Sequence, residues 1–234
     1  MLSLLLILVP LVAASVILAL RLSKMVAFAA AMVEAALVLY IASQFDPGAG
    51  QQFAFSAPWI STFNINFALG IDGISMLLLI LTGLAVPLIV LSTFDKGFHN
   101  VSLFYALVLM MQAFLMGVFL ARDLFLFYFF FEAALIPVYF LATGWGGENR
   151  IRVMFKFFIY TVFGSLFMLL AFIYVYSKSG SSSFDVLFGG YLTAAEQAYV
   201  FSALFLAFAI KMPVFPFHTW QPDTYSESPT TATM

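Results

Sequence analysis

The sequence predicts an all-α polytopic membrane protein with about seven transmembrane helices, the seventh of them broken by prolines. Two observations lead to this prediction. Hydrophobic residues make up 64% of the 234 residues and charged residues only 9%, whereas soluble domains carry about 25% charged residues. The apolar residues also gather in stretches of about 20, the length that a helix needs to cross a bilayer. Too few charges remain to cover a water-exposed surface, so soluble enzyme classes are excluded.

Seven apolar stretches follow one another along the chain. The first is expected to stay in the mature protein, because Arg21 and Lys24 follow the apolar run, whereas a cleaved signal peptide carries its positive charge before it. The segment 44–70 is rich in Gly, Pro, Ser and Asn and is long enough for a small hairpin outside the hydrocarbon. The predicted spans are 2–20, 25–43, 73–94, 101–121, 124–143, 152–177 and 193–217, followed by a polar tail from 218 to 234.

The basic residues of the loops predict the orientation. Five Lys or Arg lie in the loops that follow odd-numbered spans, and two lie in the loops on the other side. Because short loops rich in Lys and Arg stay in the cytoplasm, the N-terminus is expected outside. The five are Arg21, Lys24, Lys96, Arg150 and Arg152, and the two are Arg122 and Lys178.

Several kinds of chemistry are excluded by what the sequence lacks. It contains no cysteine, so thiolate metal sites, iron–sulfur clusters and cysteine nucleophiles are ruled out. Its two histidines, His99 and His218, are too few for a metal cluster, and there is neither a Gly-rich phosphate loop nor a basic run for nucleic acid. The chain is therefore expected to work with protons, ions or partner proteins.

Ionisable residues inside the spans are the candidates for function, because a charge at a helix centre costs about 2.5–3.5 kcal/mol on insertion scales. Glu132 lies near the middle of the fifth span, and Pro137 lacks the N–H that would bond the Ala133 carbonyl. A carboxyl group beside a loosened carbonyl and walled by phenylalanines is a candidate proton-holding site. The alternative is a structural glutamate, paired once and never titrating.

Lys211 lies late in the seventh span, directly before Pro213 and Pro216. These prolines release the carbonyls of Ala209 and Met212, and broken helices at membrane depth are tolerated where they line a buried or water-filled cavity. The lysine is expected to donate to the released carbonyls and to pair with a carboxylate. The alternative is a lysine that extends to the interface past a terminal kink.

Two further charged residues carry less information. Lys156 lies one turn inside the sixth span, where its long stem can also reach the headgroups. Glu34 lies in the middle of the second span with no proline or basic residue near it, which favours a polar helix–helix contact.

Four segments resemble subunit M of bacterial NADH–quinone oxidoreductase (respiratory complex I), the counterpart of chain 4 of the mitochondrial enzyme. They occur in the order and at the spacing of that family, and together they are specific. Mrp-type cation/proton antiporter subunits share the intramembrane glutamate and lysine, but Pro137 and Tyr139 after the glutamate resemble the M pattern. The segments are 71–75, 123–139, 156–161 and 209–220.

The resemblance implies redox-coupled proton pumping without a redox centre in this chain. Glu132 and Lys211 match the glutamate and lysine of the family's proton relay, and Lys156 and His218 also fall in matching motifs. No cofactor is expected here; NADH, flavin, iron–sulfur clusters and quinone are implied in partner subunits. The implied partners are the other antiporter-like subunits of the membrane arm, in the bacterial inner membrane.

The end of the sequence departs from the family pattern. The residues from Trp220 to Tyr225 differ from the usual motif, and the lysine expected in an eighth span lies beyond the chain. The sequence therefore predicts an N-terminal fragment, with flanking helices in 1–122 and the first part of the proton-translocating repeat in 123–234. The remaining alternatives are an Mrp-type antiporter subunit and a non-transporting membrane scaffold.

Overall fold

A computed structural model describes residues 1–233 and confirms the seven predicted spans. Within that range seven helical segments are long and apolar enough to cross a membrane, with α5 and α6 together forming the fifth. The elements are α1 (Leu2–Leu20), α2 (Lys24–Gln44), β1 (Gln52–Ile60), β2 (Ile65–Ile71), α3 (Gly73–Ser92), α4 (Val101–Leu120), α5 (Leu124–Ala133), α6 (Leu135–Trp145), α7 (Arg150–Ser179), α8 (Ala194–Lys211), α9 (Gln221–Glu227) and α10 (Thr230–Thr233).

The segment between α2 and α3 forms the small hairpin that its composition predicts. Strands β1 and β2 pair antiparallel, and Asn64 takes a left-handed conformation between them (φ 50°). The hairpin is tied to the helices, since the Arg122 N–H donates to the Ala68 carbonyl at 2.8 Å and the Tyr176 hydroxyl donates to the Phe63 carbonyl at 2.8 Å. It therefore covers the ends of α4 and α7 on one face, here called the hairpin side.

Three helices on the hairpin side begin at a side-chain cap. Asp72 and Ser75 form a reciprocal capping box at α3, and Thr193 and Glu196 form another at α8. Asp123 accepts from two backbone N–H groups at the start of α5. Such caps satisfy N–H groups that a helix leaves without partners, which fixes where these spans begin.

Helices α1 to α4 pack into a bundle with two apolar clusters along its length. The hairpin-side cluster includes Leu6, Ile7, Val38, Ile41, Met76, Leu79, Met116 and Leu120. The loop-side cluster, toward the opposite face, includes Ala14, Ile17, Ala27, Ala31, Val86, Val90, Tyr105 and Leu109. A third cluster, centred on Met168 and Phe172 of α7, joins α5, α7 and α8.

The fifth and seventh spans are both interrupted next to prolines. Helix α5 ends at Ala133 and α6 starts at Leu135, as expected where Pro137 lacks its N–H. The seventh span, predicted over 193–217 with a break at its prolines, is broken as expected: its regular helix α8 ends at Lys211. Because Pro213 lacks an N–H, the Ala209 carbonyl accepts instead from Val214 at 2.8 Å, and the chain leaves the helix there.

Candidate functional site

Glu132 lies in the last turn of α5, directly before the interruption of the fifth span. Its Oε1 atom is buried and has no hydrogen-bond partner among residues 1–233. Tyr128 of α5 lines the same pocket as Glu132, and Ser165 is a buried residue of α7, which packs against α5. The Ser165 hydroxyl, 1% exposed as a residue, already donates to the Val162 carbonyl at 2.9 Å. The carboxyl group thus keeps bonding capacity that the folded chain does not use.

Lys211 is the last residue of α8, and its ammonium group lies over the Phe131 ring, 4.2 Å from the ring centroid. The structure therefore brings Lys211 to the residue next to Glu132, but the pairing with a carboxylate that the sequence predicts is not formed in the described residues. No ion pair within 4.0 Å joins Glu132 and Lys211 in the described part of the chain. The two charges are neighbours across α5 and α8 without being locked together.

The expected bonds from Lys211 to released carbonyls are not formed. The Ala209 carbonyl accepts from Val214, and the Ile210 carbonyl accepts from the Trp220 indole N–H at 2.9 Å. The chain itself thus satisfies the carbonyls of Ala209 and Ile210. Its ammonium group contacts the face of an aromatic ring instead, an interaction worth about 0.5–2 kcal/mol.

Lys156 is bonded to residues that follow α8. It donates to the Thr219 carbonyl at 2.8 Å and pairs with Asp223 of α9 at 3.0 Å. A groove of about 380 Å³ beside this pair is lined by Asn149, Arg152, Lys156, Asp223 and Glu227 among others. Lys156 thus belongs to a polar groove on the loop side.

His218 lies in a short 3-10 turn, Phe217–Trp220, which follows the end of α8. Its Nδ1 atom is buried without a hydrogen-bond partner in residues 1–233, and its ring lies 5.6 Å from that of Phe215. The neighbouring Thr219 hydroxyl is 3.1 Å from the Tyr160 hydroxyl. In the sequence, His218 therefore lies between the end of α8 and Asp223 of the loop-side groove.

Glu34 is far from these residues in the fold, inside the α1–α4 bundle. Its side chain is fully buried, and neither carboxylate oxygen has a partner in the described residues. The polar helix–helix bond predicted for it is therefore absent among residues 1–233.

Sequence reasoning missed the residues that support the site. Asp223 bonds to Lys156 across 67 residues, and Trp220 bonds to Ile210 across 10 residues; no helix or strand pattern predicts either bond. Asp123 gives a readable signal, because an Asp directly before an apolar run is a typical helix cap.

The hairpin side carries its own ion pairs. Arg122 lies 3.4 Å from Asp72 and 3.8 Å from Asp185. Burial raises the pKa of Asp72, but hydrogen bonds from Ser75 and the Arg122 charge lower it more, so this pKa lies below its ordinary value of 3.8. Asp72 is thus a carboxylate at neutral pH that joins the start of α3 to the loop after α4.

Comparison with known proteins agrees with this architecture. Residues 121–234 match the family model described as NADH:quinone oxidoreductase/Mrp antiporter, TM. F(420)H(2) dehydrogenase subunit M of Methanosarcina mazei is 38% identical over 239 residues, which cover 97% of this chain and 48% of that protein. NADH-quinone oxidoreductase subunit M of Rickettsia conorii is 38% identical over 201 residues, covering 84% of this chain and 40% of that protein.

A solved structure gives the same answer at the level of the fold. Respiratory complex I from Thermus thermophilus with bound NADH contains a chain that superposes with a TM-score of 0.87 at 36% identity, covering 97% of this chain and 47% of that chain. The chain spans about half the length, or less, of these relatives. These findings confirm the resemblance seen in the sequence: residues 121–234 match the family of NADH:quinone oxidoreductase and Mrp antiporter transmembrane subunits, and subunit M of the NADH–quinone oxidoreductases is among the homologues of the chain.

Proposed function

We propose that this chain forms part of a membrane-arm subunit of a proton-pumping NADH–quinone oxidoreductase. In this role it moves protons through a relay of Glu132 and Lys211, driven by electron transfer in other subunits. One observation carries the proposal: the Lys211 ammonium group lies 4.2 Å from the centre of the Phe131 ring, beside Glu132, where two proline-interrupted spans meet.

The geometry suits a relay because the two charges are close but not bonded. Inside a low-dielectric region the interaction between charges depends strongly on their separation, so a small movement of α5 against α8 changes the proton affinity of both groups. Helix interruptions provide places where such movement needs no long helix to bend. The unpaired Oε1 of Glu132 leaves room for a proton or a water molecule.

A supply of protons to this relay is proposed from the loop side. The groove around Lys156 and Asp223 is polar and open. Lys156 donates to the carbonyl of Thr219, the neighbour of His218 in the short turn that follows α8. On this basis we assign Lys156 and His218 to proton entry and the relay to residues 123–234, with 1–122 as flanking helices.

The location and partners follow from the same proposal. The loop side, with five of the basic loop residues, faces the cytoplasm, and the N-terminus lies outside. The partners are the other antiporter-like subunits of the membrane arm and the surrounding lipid bilayer. No redox cofactor is held by this chain, and NADH, flavin, iron–sulfur clusters and quinone belong to partner subunits.

The proposal is tested with Glu132→Gln in the full-length subunit, assembled in its complex and reconstituted into vesicles. We expect electron transfer to continue while the number of protons moved per electron falls. Glu196→Gln is the matched control, because Glu196 is paired with Lys178 at the membrane surface at 2.8 Å. Unchanged proton pumping in Glu132→Gln would favour a scaffold, and proton movement driven by a Na⁺ or K⁺ gradient without an electron donor would favour an Mrp-type antiporter.

A further inference from the structure

Four buried residues at one level of the α1–α4 bundle separate its two apolar clusters. On α2, Val38 belongs to the hairpin-side cluster and Ala31 to the loop-side cluster, and Glu34 lies between them. The same interruption occurs on every helix of the bundle. This middle layer consists of Pro10 on α1, Glu34 on α2, Gly83 on α3 and Gln112 on α4.

The two polar side chains of the middle layer have no partners. Glu34 and Gln112 are each 0% exposed, and both carboxylate oxygens of Glu34 and both amide atoms of Gln112 lack a hydrogen bond within residues 1–233. A buried polar group left without a partner costs about 1–3 kcal/mol. Groups of this kind in folded proteins are commonly satisfied by buried water.

Backbone carbonyls add to the polar groups at this level. Pro10 and Pro87 lie inside α1 and α3, and because proline has no N–H they leave the carbonyls of Leu6 and Gly83 without their helical donors. Helix carbonyls point toward the C-terminal end of their helix. The Leu6 carbonyl therefore points toward Pro10, and the Gly83 carbonyl points from the middle layer toward the loop side.

There is also space next to Gln112. A cavity of about 180 Å³ is lined by Gln112, Thr82 and Thr231 together with apolar residues, and the Thr231 hydroxyl is another buried oxygen without a partner in the described residues. Its polar wall, formed by the Gln112 amide and the two threonine hydroxyls, offers partners to a water molecule.

The charges around Glu34 decide which form of the carboxyl group fits. Helices α1, α3 and α4 carry no Lys, Arg, His, Asp or Glu. Besides Glu34, the ionisable side chains of the four helices are Lys24 at the loop-side end of α2, the exposed Tyr40, and Tyr105, which is bonded to Thr93 at 2.9 Å. An isolated buried carboxylate without a cation is strongly disfavoured. A carboxylic acid that donates its proton to water or to an oxygen fits this surrounding.

We propose that the middle layer is a second proton-binding site, in which Glu34 holds a proton and buried water connects its carboxyl group to Gln112 and to the released carbonyls. The site lies on α1–α4, apart from Glu132 on α5 and Lys211 on α8. It does not depend on the proposed pumping, because proton binding by Glu34 requires only the fold of the bundle.

Infrared difference spectroscopy on the full-length subunit in its assembled complex tests this site. Glu34→Gln should remove the carbonyl stretch of one protonated carboxylic acid from the wild-type spectrum. Glu196→Gln, the matched control with an ion-paired glutamate, should instead remove the signal of an ionised carboxylate. Loss of an ionised carboxylate signal in Glu34→Gln, or a Glu34 signal that depends on added Na⁺, would overturn the proposal.

A second variant tests the water connection while Glu34 stays intact. Gln112→Leu removes the amide that the water is proposed to bridge, so the carbonyl stretch of Glu34 should shift in frequency. This variant also keeps the proposal open to refutation if Glu34→Gln does not assemble. An unshifted stretch in Gln112→Leu would show that Glu34 and Gln112 do not share a site.

Discussion

Asp123 is expected to hold the start of the helix that carries Glu132, and replacing it with alanine should destabilise the protein more than any surface change. Its Oδ1 accepts from the N–H groups of Phe125 at 2.9 Å and Leu126 at 3.2 Å. Its Oδ2 accepts from the N–H of Asn66 at 3.4 Å and from the Ser182 hydroxyl. One side chain thus joins α5, the hairpin and the loop after α7.

The size of the effect follows from these bonds. Loss of an N-terminal cap costs about 0.5–2 kcal/mol, and a buried hydroxyl left without its partner costs about 1–3 kcal/mol; Ser182 is 1% exposed and Asp123 is 2% exposed. Since Asn66 is exposed and its bond is long, it adds little. Asp123→Ala should therefore cost about 2–5 kcal/mol in total, and Asp123→Asn less, because its carbonyl oxygen still caps α5.

The assay is thermal unfolding of the assembled complex in detergent, together with the amount of full-length subunit found in the membrane. Asp185→Ala is the control. The Asp185 side chain is 82% exposed and lies as far as 3.8 Å from Arg122, and such an exposed ion pair contributes little. If Asp123→Ala unfolds at the same temperature as Asp185→Ala, Asp123 does not hold these elements together.

Two further predictions concern pH and packing. Asp72→Asn should lower the unfolding temperature at neutral pH. The pKa of Asp72 is lowered in the folded protein, so its carboxylate stabilises the fold while it is ionised, and the difference from the wild type should shrink as the pH falls below 3.8. A difference that persists at low pH would contradict this. Gly164→Leu should lower the number of protons pumped per electron, because a Cβ at Gly164 would lie 3.1 Å from Ile210, the neighbour of Lys211. Gly144→Leu is the control and should leave pumping unchanged, because no atom lies within 4 Å of a Cβ at Gly144. Equal pumping in these two variants would show that α7–α8 packing does not position Lys211.

The spans were predictable because their signals are local. Apolar length sets the seven crossings, and the missing N–H of proline explains the break after Ala133 and the early end of α8. The prolines predict a break in this span, but residues 212–217 are almost as apolar as the helix, and only the bond from the Val214 N–H to the Ala209 carbonyl shows that the helix ends at Lys211.

The partners of the site residues were not predictable, because they come from distant parts of the chain. Lys156 finds Asp223 only when α7 packs against α9, and the Trp220 indole reaches the Ile210 carbonyl only after the chain turns back at the end of α8. The middle layer of the bundle needs the register of four helices, which no single segment contains. Glu132 and Lys211 could be chosen as candidates from the sequence alone, because an intramembrane charge near a proline is a local signal.

The central claim is that Glu132 and Lys211 act as one unit, and a double-mutant cycle tests it most directly. Proton pumping per electron is measured for Glu132→Gln, Lys211→Ala and the double variant in the reconstituted complex. Residues that act in one step give a double variant no worse than the more impaired single variant, and that is the result we expect. Losses that multiply in the double variant would show two independent contributions and would contradict a shared relay.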